Sequence, residues 1–143
     1  MNGTVRLTQK EIQEVRRNVD NDQINQTLPA LVVEGKGSRS KGVHEGVGTA
    51  VPYEHRSATG VTVHAAEQLA DRGITVEDAQ MYVDTALVMF EQDRNSFLYI
   101  SPHGAAVIGE PSGRFVTAWS SSVYREGYTQ ILEVILHDYF SKR

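Results

Sequence analysis

The chain predicts an α+β fold, on three observations: two helical patterns come first, three strand-like runs follow in succession, and a last helical pattern closes the sequence. Helices segregated from a run of strands argue for an antiparallel meander over a parallel α/β sheet. Its 143 residues and 40% hydrophobic content suffice for one ordinary core.

Taken in order, Thr8-Gln9-Lys10-Glu11 has the spacing of a capping box, and Ile12, Val15 and Val19 follow at helical intervals, predicting a modest helix over residues 9–24. Leu31-Val32-Val33 fits a short strand. Residues 34–42, rich in Gly, Ser and Lys, read as a flexible linker, and the glycines continue at Gly46 and Gly48 before Pro52. These features predict a polar lead over residues 1–55 and a compact α+β domain over residues 56–143.

Residues 64–72 predict a short helix, with Thr62 or a neighbour as its cap and Gly73 as its left-handed stop. A second helix starts at Thr75, with Glu77 and Asp78 complementing the dipole of its first turn. Val76, Ala79, Val83, Ala86, Leu87 and Phe90 recur at three and four, predicting one buried helical stripe that runs to residue 90. Three strand-like runs follow at residues 96–100, 105–108 and 114–119. Pro102-His103-Gly104 and Glu110-Pro111-Ser112-Gly113 separate them, and both segments have hairpin chemistry. The product expected is a three- to four-stranded meander. The final helix is expected from about Tyr128, with Ile131, Leu132, Ile135 and Tyr139 facing the core.

Composition narrows the chemistry. There is no cysteine, hence no disulfide, thiolate nucleophile or thiolate metal site. His44, His55, His64, His103 and His137 form no pair at helical ligand spacing, so neither a metal nor a cofactor is expected. Gly46-Val47-Gly48 lacks the rest of a dinucleotide fingerprint, and no serine sits in a nucleophile elbow. The N-terminus lacks a signal-peptide apolar run, and no stretch approaches the ~20 apolar residues of a membrane span. The net charge is −4. Residues 1–55 carry seven Lys/Arg against seven Asp/Glu and residues 56–143 carry seven against eleven, so any RNA site must be a local basic patch.

What remains open is a metal-free acid/base site, which suits RNA cleavage because RNA supplies its own nucleophile, the 2′-hydroxyl. His64 stands at a helix start, where backbone N–H groups and the positive dipole end favour an anion. Arg72 lies eight residues on and falls roughly on the same side of that helix. The plainer readings are a surface histidine and a salt-bridge arginine. Thr117, Ser120, Ser121, Ser122 and Tyr124 bring hydroxyls to the end of the last strand. Alternation places Phe115, Thr117 and Trp119 on one face, where Trp119 is either a core residue or a base-stacking platform, and the serines cap a helix. His103 is a turn residue or a second imidazole for the site.

Residues 64–78, with the junction Arg72-Gly73-Ile74, and the meander ending Phe115-Val116-Thr117-Ala118-Trp119 together resemble the barnase–EndoU–colicin–RelE-type ribonuclease superfamily. More narrowly, they are similar to C-terminal toxin modules of contact-dependent inhibition and other bacterial polymorphic toxins, and to related phage-encoded nuclease domains. The resemblance covers about residues 60–140. It implies a metal-independent endoribonuclease that cleaves tRNA or other structured RNA and leaves a 2′,3′-cyclic phosphate. His64 is then the acid or base, Arg72 the phosphate clamp, Thr117 and Ser120 the hydroxyl donors, and Trp119, Tyr124 and His103 the substrate contacts. A cognate immunity protein, delivery on a secreted or phage-borne carrier and action in the target bacterium's cytoplasm are implied with it. Trp119 stands where that family often has an aromatic hydroxyl, and the acidic balance departs from it as well. A different class fits too: a non-catalytic interaction module such as an immunity protein or antitoxin, favoured by net acidity and by Glu77, Asp78 and Asp84. A small transferase of the toxin type, dependent on a nucleotide, is a third reading.

Overall fold

The computed structural model describes residues 6–26, 47–92 and 95–142. In chain order the elements are α1 (Gln9–Asn18), β1 (Thr49–Val51), β2 (Gly60–Val61), α2 (Val63–Arg72), α3 (Val76–Asp84), β3 (Val88–Gln92), β4 (Ser96–Ile100), β5 (Gly104–Gly109), β6 (Arg114–Ser120), a 3₁₀ turn (Ser121–Val123) and α4 (Glu126–Ser141). The sheet has six strands in the order β1-β3-β4-β5-β6-β2. Strands β3 to β6 form an antiparallel meander, β1 adds antiparallel to β3, and only β2 runs parallel to its neighbour. The α+β class expected from the sequence is the class observed.

The sheet is buried on both faces, which the period-two geometry of strands makes visible residue by residue. Val88, Phe90, Leu98, Ile100, Ala105 and Val107 face a core shared with Ile12 and Val15 of α1 and with Ile131, Leu132, Ile135 and Tyr139 of α4. Their neighbours Met89, Tyr99, Ala106 and Ile108 face the opposite way, onto Leu69 of α2 and Ala79, Tyr82 and Val83 of α3. The result is three layers, with α1 and α4 below the sheet and α2 and α3 above it.

Several bounds differ from those expected. The helix beginning at Thr75 does not reach residue 90: it ends at Asp84, and the apolar run after it is strand β3. Val76, placed on the buried stripe, is 45% exposed. A tertiary contact marks the end of α3, since Arg16 of α1 donates to the carbonyls of Asp84 (2.8 Å) and Ala86 (2.8 Å), putting a cation at the negative end of the helix. The division near residue 55 does not separate the packing either. Ile12, Val15, Ile24, Val47 and Ala50 belong to the same cluster as α4, and Val51 pairs with Met89. The first helix also stops earlier than expected, at Asn18, with residues 21–26 helical again. The linker reading of residues 34–42 and the strand at Leu31-Val32-Val33 lie outside the described residues.

A stretch without regular structure, residues 52–59, carries the chain from β1 to β2 across the top of α3. Its backbone polar groups need partners if they are to leave water. Gln80 supplies two of them: its amide accepts from the Ala58 N–H at 2.9 Å and donates to the Arg56 carbonyl at 2.9 Å. The Tyr53 hydroxyl adds a bond to the Val83 carbonyl at 2.8 Å. The strap is thereby tied to α3.

Close packing of α3 on the sheet depends on Gly104, because a Cβ built there falls within the Tyr82 ring. Gly104→Ala is therefore expected to destabilise the protein by about 1–3 kcal/mol through overpacking. The check is the urea midpoint of wild type and variant, which should differ while the slope is kept.

Candidate functional site

Helix α2 is set by local signals. The Thr62 side chain accepts from the Ala65 N–H, and Gly73 closes the helix at φ 69°, a conformation that suits glycine. Ala65 and Leu69 pack inward, which leaves His64, Gln68 and Arg72, four residues apart, on one outward stripe facing β6.

The β6 strand carries an irregularity that alternation could not show. Val107 is opposite Thr117 and Ile108 is opposite Phe115, so Val116 is an extra residue in the strand. Faces change across it. Phe115 packs with α2 and α3, while Trp119 packs against the α1 and α4 side, so the two rings do not share a face as expected.

Three of the four residues expected to be catalytic are brought together, through a fourth that the sequence reading passed over. Arg72 Nη1 donates to Thr117 Oγ1 at 3.1 Å and to the Ala118 carbonyl at 2.8 Å. Thr117 Oγ1 donates to Gln68 Oε1 at 2.7 Å. Gln68 Nε2 then meets His64 Nε2 at 2.9 Å. The path His64–Gln68–Thr117–Arg72 runs across the surface between α2 and β6. Gln68 was open to detection, since it lies midway between two residues already assigned to one helix side, one turn from each.

Arg72 is not the salt-bridge residue of the plainer reading: among the described residues it has no carboxylate within ion-pair distance, and its Nε and Nη2 have no hydrogen-bond partner. A guanidinium positioned by one nitrogen with the others free can take an anion. Glu67 and Asp71 are exposed on the same helix, but each is one residue, about 100°, around from the stripe.

The remaining candidates lie off this path. Ser120 caps the 3₁₀ turn, accepting from the Ser122 N–H at 3.1 Å, and makes no bond to the His64–Arg72 path. Trp119 packs with Tyr128, ring centroids 5.8 Å apart, against the core. The Tyr124 hydroxyl donates to the Ser101 carbonyl at 2.6 Å, and burial pushes the Tyr124 phenol far up from its ordinary range, so it moves no proton near neutrality. His103 sits in the β4–β5 turn, where its N–H donates to Ser101 Oγ at 3.0 Å and its carbonyl accepts from the Ser121 N–H at 3.0 Å. It stands at the Ser120 end of β6, apart from the path.

Burial raises other phenols too: Tyr53 and Tyr128 are each pushed up to about 12. Each keeps its proton longer in the folded chain than in the unfolded one, where a tyrosine titrates near 10. Between those values the folded state holds more protons, so stability is full below about pH 10 and falls as pH rises toward 12. Phenolate absorbance followed through an alkaline titration should rise together with the loss of near-ultraviolet circular dichroism. Phenolate appearing while the fold stays intact would show these rings to be accessible.

Among the described residues no helix is long and apolar enough to cross a membrane. Comparison with protein-family models, with curated proteins and with solved structures gives no match to this chain.

Proposed function

We propose that the protein is a metal-independent endoribonuclease of the toxin type, acting on tRNA or other structured RNA by 2′-hydroxyl attack. The observation that carries this reading is the hydrogen-bonded path from the His64 imidazole to the Arg72 guanidinium, exposed at both ends and with free donors on Arg72. An imidazole can serve as the general base, and a cation held at the other end of the path can stabilise charge on the phosphate. On this reading the module reaches the cytoplasm of a target bacterium on a secreted or phage-borne carrier, and a cognate immunity protein covers the α2–β6 surface.

The interaction-module reading draws on the acids of α3, and two of those three are engaged internally. Asp78 accepts from the Thr75 N–H at 3.0 Å, and Asp84 pairs with His55 at 2.7 Å. The test is incubation of the purified full chain with total tRNA in EDTA, followed by end-group analysis. Cleavage leaving 2′,3′-cyclic phosphate is expected, and Arg72→Ala should slow it by up to about 10²-fold. A chain that cleaves no RNA with or without added metal sinks the proposal and leaves the interaction module in its place.

A further inference from the structure

The hydrogen bonds between Arg72 and His64 have a direction, set by the Gln68 amide lying with Oε1 on Thr117. A guanidinium can only donate, so Thr117 Oγ1 accepts from Arg72. The hydroxyl proton of Thr117 goes to Gln68 Oε1, 2.7 Å away, with the amide oriented as the structure has it. The NH₂ of Gln68 is left pointing at His64 Nε2, 2.9 Å away. With the amide in that orientation, Nε2 of the neutral ring accepts and the ring proton sits on Nδ1.

We infer that Gln68 is a positioning residue that holds His64 in the Nδ1–H tautomer and so makes Nε2 the base for the ribonuclease reaction; the inference rests on the function proposed above. Gln68 sets the tautomer of the free protein, and the substrate's 2′-hydroxyl meets the same Nε2 lone pair when it binds. In the reaction the 2′-hydroxyl proton passes to Nε2, the bond from the 2′-oxygen to phosphorus forms, the bond from phosphorus to the 5′-oxygen breaks, and the 5′-oxygen takes its proton from water. Thr117 is a link in this path. In this arrangement its proton goes to Gln68, and it orients the amide.

The path also makes opposite predictions for two substitutions at one position. Gln68→Leu removes the donor and leaves Nε2 unguided. Gln68→Glu replaces the donor with an acceptor, which holds a proton on Nε2 and removes the base. Long-range ¹⁵N–¹H correlation on histidine-labelled full-length protein, recorded where the rings are neutral, reads the tautomer directly. His64→Gln assigns the signal. The wild-type ring is expected to be Nδ1–H, the Leu variant to lose that preference, and the Glu variant to become Nε2–H. With the Glu variant, single-turnover cleavage should fall at little change in KM, by about 10–100-fold if only the orientation of the ring is lost and up to about 10⁴-fold if the wrong tautomer is held.

An Nε2–H ring in the wild type overturns the inference, and so does a Glu variant whose tautomer or cleavage rate stays that of wild type. A wild-type ring that is Nδ1–H in a protein that cleaves no RNA overturns the ribonuclease reading and with it the role of base, but leaves the tautomer assignment standing. The two failures are thus distinguishable.

Discussion

His64→Ala is expected to lower single-turnover cleavage of tRNA by about two to four orders of magnitude while the protein stays folded. The rate effect follows from the absence of a substitute. The nearest partner of the ring is Gln68, an amide that cannot take a proton at neutral pH, and the next groups along the path are a threonine hydroxyl and a guanidinium. The fold should survive because His64 is exposed on the outward face of α2, and the cap of that helix is supplied by Thr62. Surface substitutions away from such features usually change stability within about 0.5 kcal/mol. Circular dichroism and the urea midpoint provide the folding control. If the folded variant cleaves as fast as wild type, His64 is a helix-start surface residue, and His103 at the far end of β6 becomes the imidazole to test.

Phe90→Ala is expected to cost about 3–5 kcal/mol, a large share of the stability of a domain this size. The Phe90 side chain is fully buried at the middle of β3, with Ala50 on one side and Leu98 on the other in the sheet. It faces the core built by α1 and α4. Truncation leaves a cavity bounded by three elements that hold one another in place, so little collapse can fill it. Val76→Ala is the matched control, because Val76 lies 45% exposed at the start of α3. The helical stripe predicted by spacing would make the two losses comparable. The strand assignment makes Phe90 far the costlier, and chemical denaturation of both variants decides between them.

The difference at Phe90 shows what kind of information was legible. Helix α2 was readable because its signals are local: Thr62 caps it, Gly73 stops it, and both act within one turn of the chain. The hairpins β4–β5 and β5–β6 were readable for the same reason, from Pro102, Gly104, Pro111 and Gly113 between apolar runs. The run Ala86-Leu87-Val88-Met89-Phe90 was not, since a strand covered on both faces is apolar at every position and fits a helical period equally well. What resolves it is remote in sequence: Arg16 binding the carbonyls at the end of α3, and β1 and β4 offering ladders on either side. The same applies to the N-terminal helix, whose thin apolar face looked like a lead and instead fills the lower layer.

At the site, residue types and helix spacing were enough to name His64, Arg72 and a set of strand-end hydroxyls that included Thr117 and Ser120, because a 3.6-residue period places positions 64 and 72 roughly on one side and a late strand supplies hydroxyls. Which of those hydroxyls meets the helix depended on the extra residue Val116, a shift in register that leaves no mark in the alternation and that decides the faces of Phe115 and Trp119. Chain-local chemistry therefore set the candidate groups and the helix that carries two of them. The tertiary structure set their partners, since each of these contacts depends on atoms that approach only when α2 packs beside β6.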